Sequence, residues 1–270
     1  MFSSHDKSRS SKAVVVTTSW DDGDLCDVKL AELLGSRGLP ATFYVSTGAL
    51  GKGSNLSGSQ LRELADAGFE IGAHTVTHPV LTDLSGAALA REIVDCKLTL
   101  EQILGREVPS FAYPKGRRNA ETMARVKEAG YRAARGLRML SLSFDFPPLD
   151  MPVTVQAYPH PRTSYVKNLM RRGEVLALAK ASVQIGRTKS WVQLGKELFD
   201  RALRDGGVWH LLGHSWETEK VHGWSELTEM MDYVSGRAGV RYLTNGQLSQ
   251  MVQTGSLPTV AEPALQPGRN

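Results

Sequence analysis

The sequence contains few of the features that would assign it to a specialised structural class. Only two of its 270 residues are cysteines, Cys26 and Cys96. They have no metal-ligand spacing, and two thiols cannot form the framework of a disulfide-rich secreted domain, so we interpret both as free core thiols in a reducing compartment. No apolar run approaches the length of a transmembrane helix. Residues 1–12 are polar and Ser-rich and lack the hydrophobic segment of a signal peptide. This predicts a flexible N-terminus on a protein that is cytoplasmic, or exported by a route the sequence does not show.

A strong charge of either sign is also missing. The formal net charge is +4 at pH 7, and the Lys and Arg residues are spread along the chain. This distribution does not favour a nucleic-acid-binding surface. The one basic pair beside candidate chemistry is Arg117-Arg118, a weak indication of an anionic group on the substrate.

The length of the chain allows one large α/β domain or two small ones. No internal repeat, low-complexity domain or linker separates two halves. We therefore predict a single domain over residues 13–254, followed by a disordered, Pro-rich tail over residues 255–270.

Strand-like and helix-like segments alternate through the first half of the chain. Apolar and β-branched runs predict strands, amphipathic stretches predict helices, and Gly38, Gly68, Gly105 and Gly130 end the helices. The predicted strands are 13–18, 41–45, 69–73, 110–113 and 131–134, and the helices between and after them are 24–37, 57–67, 85–104 and 119–129. This alternation indicates right-handed βαβ units and a parallel sheet.

The second half is less regular. Residues 140–161 carry five prolines and predict a long loop or one strand with irregular flanks. Beyond this segment the pattern predicts helices over 164–181, 191–204 and 225–235, a loop at 185–187, strands at 208–212 and 240–243, and a terminal helical turn at 247–253.

Two adjacent carboxylates, Asp21 and Asp22, stand where the first predicted strand ends. Because side chains alternate along a strand, we expect the two to point in different directions, so that one can bind a metal while the other acts as a base. Gly23 permits a sharp turn directly afterwards. The alternative is that Asp-Asp-Gly is only a strand-ending turn.

Two histidines follow the third predicted strand. His74 and His78 are four residues apart, so both imidazoles can reach one ion from a single turn. Together with Asp22 they form a set of two histidines and one carboxylate that leaves coordination positions open. Open positions are typical of catalytic rather than structural metal sites.

The order of these motifs resembles the polysaccharide deacetylases, carbohydrate esterase family 4. The runs at 19–23 (Ser-Trp-Asp-Asp-Gly) and 74–78 (His-Thr-Val-Thr-His) are similar to the first two family motifs. The run at 111–116 (Phe-Ala-Tyr-Pro-Lys-Gly) is similar to the third, and Leu212-Gly213-His214 to the last. The resemblance covers the chain roughly from residue 14 to residue 248.

This resemblance implies a distorted, incomplete (β/α) barrel with a divalent metal at the C-terminal ends of its strands. It implies that Asp21 is the general base, that Asp22, His74 and His78 bind the metal, and that His214 is the general acid. The backbone N–H of Lys115 is expected to bind the oxyanion, with Tyr113 in the same motif and Trp20 lining the substrate pocket. Zinc is the expected metal, with cobalt or nickel as substitutes.

The sequence departs from the family in two places. Ala112 stands where the family has an arginine that braces the catalytic Asp, and Lys115, Arg117 and Arg118 are the candidate replacements. The acidic residue that orients the catalytic His is also unassigned, with Asp145, Asp150 and Glu217 as candidates.

Three other residues near the last motif are interpreted as structural. His210 is interpreted as a structural neighbour of His214, and Trp209 and Trp216 as packing residues. His160 and His222 receive no role.

The expected function is removal of N-acetyl groups from an amino sugar in a glycan, oligosaccharide or glycoconjugate precursor. A cytoplasmic substrate such as a precursor fits the expected location. One alternative is hydrolysis of a non-sugar amide or imide on the same fold. Another is a carbohydrate-binding protein without catalysis. Such a protein would be expected to lack at least one of the five catalytic and metal-binding candidates, which are Asp21, Asp22, His74, His78 and His214. We expect an N-acetylated carbohydrate as the partner, and neither nucleic acid nor a membrane span.

Overall fold

The computed structural model describes residues 13–161, 163–164 and 190–256. Its strands are β1 (Val14–Asp22), β2 (Thr42–Val45), β3 (Glu70–Ala73), β4 (Ser110–Ala112), β5 (Ala133–Arg135), β6 (Val155–Gln156), β7 (Gly207–Gly213) and β8 (Val240–Tyr242). Its α-helices are α1 (Cys26–Gly35), α2 (Gly58–Asp66), α3 (Gly86–Leu104), α4 (Ala120–Glu128), α5 (Trp191–Asp205), α6 (Ser215–Lys220), α7 (Trp224–Val234) and α8 (Asn245–Thr254).

All of these strands belong to one parallel sheet. The strand order is β5-β4-β3-β2-β1-β7-β6, and β8 pairs with the first half of β1. β1 is the central strand, pairing with β7 along one side and with β2 over its last four residues on the other. The curled sheet with helices around it confirms the predicted incomplete (β/α) barrel.

Burial explains why the apolar runs form these strands. Every residue of β1 up to Asp21, and every residue of β7, is buried, so both strands are buried on the two faces, as expected for a parallel sheet covered by helices. The helices bury only one stripe each. In α3, for example, Leu89, Ile93, Cys96 and Leu100 are buried at helical spacing.

Most predicted elements lie within one to three residues of their observed positions. β1 is the main difference, since it continues to Asp22 through its pairing with β2. The short helix α6 is not among the predicted elements; one residue, His214, separates it from β7. The predicted helix at 164–181 lies outside the described residues apart from its first residue, and the loop at 185–187 lies outside them entirely. The predicted flexible N-terminus and all but two residues of the predicted tail also lie outside them.

A parallel sheet brings the C-terminal ends of its strands to one edge. At this edge lie Asp21 and Asp22 of β1, His74 after β3, Ala112 of β4, Arg135 of β5 and His214 after β7. A cavity of about 490 Å³ lies at the other end, lined by Glu70 and Ala133, which begin β3 and β5, and by residues of α8. This cavity contains none of the motif residues. Among the described helices, none is both long and apolar enough to cross a membrane.

Candidate active site

Three side chains form a candidate metal centre at the C-terminal edge of the sheet. One ligand atom from each of Asp22, His74 and His78 lies within 4.8 Å of the other two. Oδ1 of Asp22 is 3.8 Å from Nε2 of His74 and 3.6 Å from Nε2 of His78. The structure therefore brings together the three residues that the sequence proposed as ligands.

The ring of His74 is held in the tautomer that a metal requires. Its Nδ1 lies 2.8 Å from the carbonyl oxygen of Ala112, which can only accept, so Nδ1 carries the proton and Nε2 keeps its lone pair. Burial lowers the pKa of His74 to about 4, against the opposing negative charges of Asp21 and Asp22 and with smaller lowering effects from His78 and Arg135. The imidazole is therefore neutral at pH 7, as a metal ligand must be. These observations fit a divalent cation.

Backbone strain is concentrated at the same place. Among the described residues, six other than glycine have a positive φ, and four of them are Asp22 (82°), Thr75 (68°), His78 (59°) and Lys115 (55°). A left-handed conformation costs a non-glycine residue roughly 1–2 kcal/mol. Strain of this kind persists where the surrounding structure imposes it, and it clusters at functional sites.

The positive φ of Asp22 corrects one expectation. The two carboxylates were expected to point in different directions, but Oδ2 of Asp21 and Oδ1 of Asp22 are 3.9 and 3.8 Å from the same atom, Nε2 of His74. Asp22 leaves strand geometry at φ 82°, so the alternation of side chains no longer applies there. Both carboxylates consequently face the site.

Asp21 is buried and paired with Arg135. Nη2 of Arg135 donates to both carboxylate oxygens of Asp21, at 2.6 Å to Oδ1, and the arginine side chain is only 1% exposed. Burial alone would raise the pKa of Asp21. The positive charge of Arg135 is the largest opposing effect and, with the neighbouring histidines and the hydrogen bond from Arg135, it outweighs burial, so the pKa is lowered and the carboxylate is ionised at pH 7.

Arg135 is the arginine that the sequence comparison did not find. It is the register partner of Ala112 on the neighbouring strand, so a guanidinium from β5 reaches the place expected for one from β4. The three candidate replacements are wrong. Arg118 pairs with Asp150 and donates to the carbonyl of Gly116, while Arg117 and Lys115 are exposed. The only sequence signal was a charged residue at the end of a buried strand.

His214 lies directly after β7 and is oriented by Glu217. Its Nδ1 is 2.6 Å from Oε2 of Glu217, and its Nε2 points towards Asp21 at 4.0 Å from Oδ2. Burial lowers the pKa of His214, but the hydrogen bond with Glu217 and the charges of Asp21 and Glu217 exceed this effect and raise it overall. Of the three acidic candidates, Asp145 is exposed and Asp150 pairs with Arg118.

The tryptophan at the site is Trp216 rather than Trp20. The indole Nε1 of Trp216 donates to Oδ2 of Asp22 at 2.9 Å, which leaves Oδ1 for the metal centre. Trp20 is wholly buried, and its ring packs so closely on Gly213 that a Cβ there would lie 2.3 Å from it. Trp20 therefore cannot stack on a sugar, and the interpretation of Trp216 as a packing residue was incomplete.

Tyr113 and Lys115 have different surroundings although they belong to one motif. Tyr113 is 1% exposed and donates its hydroxyl to the carbonyl of Leu149 at 3.1 Å. Its side chain thus supports the turn at Pro114–Gly116 and exposes almost no surface to a substrate. Lys115 is the left-handed residue of that turn, directly after Pro114, and its side chain is exposed.

His210 has a structural environment, as interpreted from the sequence. Its Nδ1 donates to the carbonyl of Pro152, and its Nε2 accepts from the hydroxyl of Ser19, both within 2.9 Å. Burial, followed by the charge of Arg135, lowers the pKa of His210 to about 3, so the ring is neutral. Trp209 is also buried and donates its indole N–H to the carbonyl of Gly195.

Comparisons with known families and curated proteins match about half of the chain. Residues 7–134, just under half of the chain, match the family described as polysaccharide deacetylase. Over 127 residues it is 30% identical to the provisionally named polysaccharide deacetylase YxkH of Bacillus subtilis, covering 47% of this chain and 45% of that protein. Over 120 residues it is 33% identical to a chitooligosaccharide deacetylase of Rhizobium leguminosarum bv. trifolii, covering 42% and 52%. The chain spans about half the length of these curated relatives.

Solved structures extend the likeness in fold to almost the whole chain. A provisionally named polysaccharide deacetylase from Mycobacterium smegmatis superposes with a TM-score of 0.67 at 15% identity, covering 95% of this chain and 96% of that one. PuuE allantoinase superposes with a TM-score of 0.65 at 11% identity, covering 93% and 94%. At these identities the likeness concerns the fold, which is shared by proteins named for different substrates.

Proposed function

We propose that this protein is a metal-dependent hydrolase that removes N-acetyl groups from an amino sugar in a glycan, oligosaccharide or glycoconjugate precursor. The proposal rests on one observation: two acid–base groups whose pKa values are shifted in opposite directions lie beside the candidate metal centre. The pKa of Asp21 is lowered and that of His214 is raised. The lowered pKa keeps Asp21 ionised and able to accept a proton, and the raised pKa favours the charged form of His214 that can donate one. Oδ2 of Asp21 and Nε2 of His214 lie 4.0 Å apart.

Amide hydrolysis needs both groups. An amide is a weak electrophile, and its nitrogen cannot leave as an anion near neutrality. Asp21 accepts the proton of the attacking water, and Arg135 keeps the carboxylate ionised and oriented for this step. His214 then donates the proton on Nε2 to the amine nitrogen while Glu217 holds Nδ1, so that the C–N bond breaks to give acetate and a free amine.

The remaining charge develops on the carbonyl oxygen. We assign its stabilisation to the backbone N–H of Lys115, consistent with the strained turn after Pro114. A divalent cation bound by Asp22, His74 and His78 would supply Lewis-acid polarisation of the carbonyl. Zinc suits a site with two imidazoles and one carboxylate, and cobalt or nickel are reasonable substitutes.

The substrate assignment is supported by the family and by the curated relatives named as deacetylases. One observation favours the alternative, a non-sugar amide or imide substrate. The arginine that binds Asp21 stands on β5 instead of β4, which is a difference from the family pattern beside the reacting groups. A carbohydrate-binding protein without catalysis is disfavoured because all five expected groups are present and converge.

An activity comparison tests the proposal. The purified chain is stripped with a chelator, reloaded separately with zinc, cobalt or nickel, and assayed for acetate release from N-acetylated oligosaccharides and glycan precursors. Small cyclic imides are assayed in parallel for ring opening. We expect about one metal ion per chain and metal-dependent acetate release. Ring opening without acetate release would favour the alternative, and no metal binding at all would refute both.

A further inference from the structure

The metal centre depends on a five-residue loop whose conformation is unfavourable by itself. Residues 74–78 follow β3, and both Thr75 and His78 have a positive φ. The two histidines are held very differently. The side chain of His74 is 1% exposed and hydrogen-bonded to Ala112, whereas that of His78 is 34% exposed. The position of His78 therefore depends on what fixes the loop backbone.

The carbonyl groups of the loop are bound from one side by residues 46–48. The hydroxyl of Ser46 donates to the carbonyl of His74, and the backbone N–H groups of Thr47 and Gly48 donate to those of Thr75 and Val76, at 2.8–3.2 Å. The approach is close, since a Cβ on Gly48 would lie 2.6 Å from the carbonyl oxygen of Val76. This side leaves the N–H groups of the loop unaccounted for.

One carboxylate from α3, that of Glu92, binds the backbone N–H groups of Val76 and Thr77. Oε2 of Glu92 accepts from the N–H of Val76 at 2.9 Å and from that of Thr77 at 2.8 Å, while Oε1 accepts from the hydroxyl of Thr77 at 2.7 Å. The next N–H, that of His78, donates to the hydroxyl of Thr75 at 3.0 Å. Hydrogen bonds to an ionised acceptor are stronger than neutral ones.

We propose that Glu92 is a positioning residue for the metal centre, because its carboxylate holds the 74–78 loop in the strained form that brings the imidazole of His78 to Asp22. This inference rests on the proposed metal site. Glu92 is absent from the ligand set itself, so its effect on metal binding is transmitted through the backbone of Val76 and Thr77. Residues that support metal ligands in this way typically alter metal affinity by 10–100-fold when they are replaced.

The test measures zinc affinity of the chelator-stripped full chain by competition with a chromophoric chelator. We expect Glu92→Gln, which keeps the shape but has only one acceptor oxygen, to bind zinc on the order of 10-fold more weakly, and Glu92→Ala on the order of 100-fold more weakly. Asp95→Asn is the matched control. It removes the same charge from the exposed surface of the same helix, and its zinc affinity is expected to equal that of the wild type.

Two results would overturn the inference. Wild-type zinc affinity in Glu92→Gln would show that the loop needs no such support. A lowered Tm of the metal-free variant together with unchanged zinc affinity would show that Glu92 only stabilises the fold. Should Glu92→Ala fail to fold, the nearly isosteric Glu92→Gln still decides the question. Absence of zinc binding by the wild type would instead refute the proposed metal site and this inference with it.

Discussion

Replacement of Arg135 by alanine tests the link between the fold and the proposed chemistry. The guanidinium of Arg135 and the carboxylate of Asp21 are 1% and 6% exposed, and they form a two-fold hydrogen-bonded pair. Arg135→Ala leaves the carboxylate buried without its main compensating charge. We therefore expect both a loss of stability and a change in the protonation of Asp21.

The magnitude follows from the burial of the pair. Removing one partner of a buried ion pair costs about 3–5 kcal/mol of unfolding free energy. At about 2 °C per kcal/mol for a chain of this size, Tm should fall by roughly 6–10 °C at pH 7. The loss should shrink on acidification. Burial raises the pKa of Asp21 once Arg135 is gone, and a protonated carboxyl group is cheaper to bury than an ionised one.

The pH profile of kcat/KM gives the more specific measurement. In the wild type the lowered pKa of Asp21 keeps the base ionised into the acid range, so activity should be lost only at low pH. In Arg135→Ala that acid limb should move to higher pH, while metal content stays unchanged because Arg135 contacts Asp21 rather than Asp22. Arg118→Ala is the control. It removes a guanidinium paired with Asp150, so the acid limb is expected to stay in place.

A compensating substitution checks the geometry. Ala112 is the register partner of Arg135, so Ala112→Arg in the Arg135→Ala background places a guanidinium on the adjacent strand. We expect it to move the acid limb back towards low pH. An Arg135→Ala variant with the wild-type Tm and acid limb would refute the reasoning, since Asp21 would then need no positive neighbour.

Two further predictions concern the acid and the base. Because His214 must be charged to donate, the rate should fall as pH rises through its pKa in the folded enzyme, which gives the pH profile an alkaline limb. Glu217→Gln removes the partner that raises this pKa, so it should move the alkaline limb to lower pH. His214→Ala should abolish that limb and reduce kcat by on the order of 10²–10⁴ without changing metal content, whereas an unchanged limb in either variant would assign the acid elsewhere. Asp21→Asn should retain metal and lose most turnover, while Asp22→Asn should lose metal, as measured by elemental analysis; the opposite pattern would reverse the two roles.

The sequence alone identified the main candidate catalytic and metal-binding residues. Asp21, Asp22, His74, His78 and His214 are recognisable because each stands in a short motif at the end of a predicted strand. Parallel strands bring such ends to one edge, so local pattern and topology together were enough to predict that these side chains meet. The alternation of strands and helices predicted the parallel sheet, the family resemblance implied the incomplete (β/α) barrel, and the structure confirmed both.

Tertiary structure alone decided which groups support those residues. Arg135 reaches Asp21 because β4 and β5 pair with Ala112 opposite Arg135, and a register between strands is invisible in either strand alone. Glu217 and Trp216 lie at the site because β7 gives way to the short helix α6 directly after His214. Asp21 and Asp22 both face the site because the backbone at Asp22 is left-handed. Trp20 packs on Gly213 in the core and therefore does not reach the substrate pocket. Most of these contacts join residues distant in the chain or depend on a backbone angle imposed by neighbours, and neither is encoded in a local pattern of residue types. Glu217 is the exception, because it stands three residues after His214 and was already a candidate, and the structure selected it over Asp145 and Asp150.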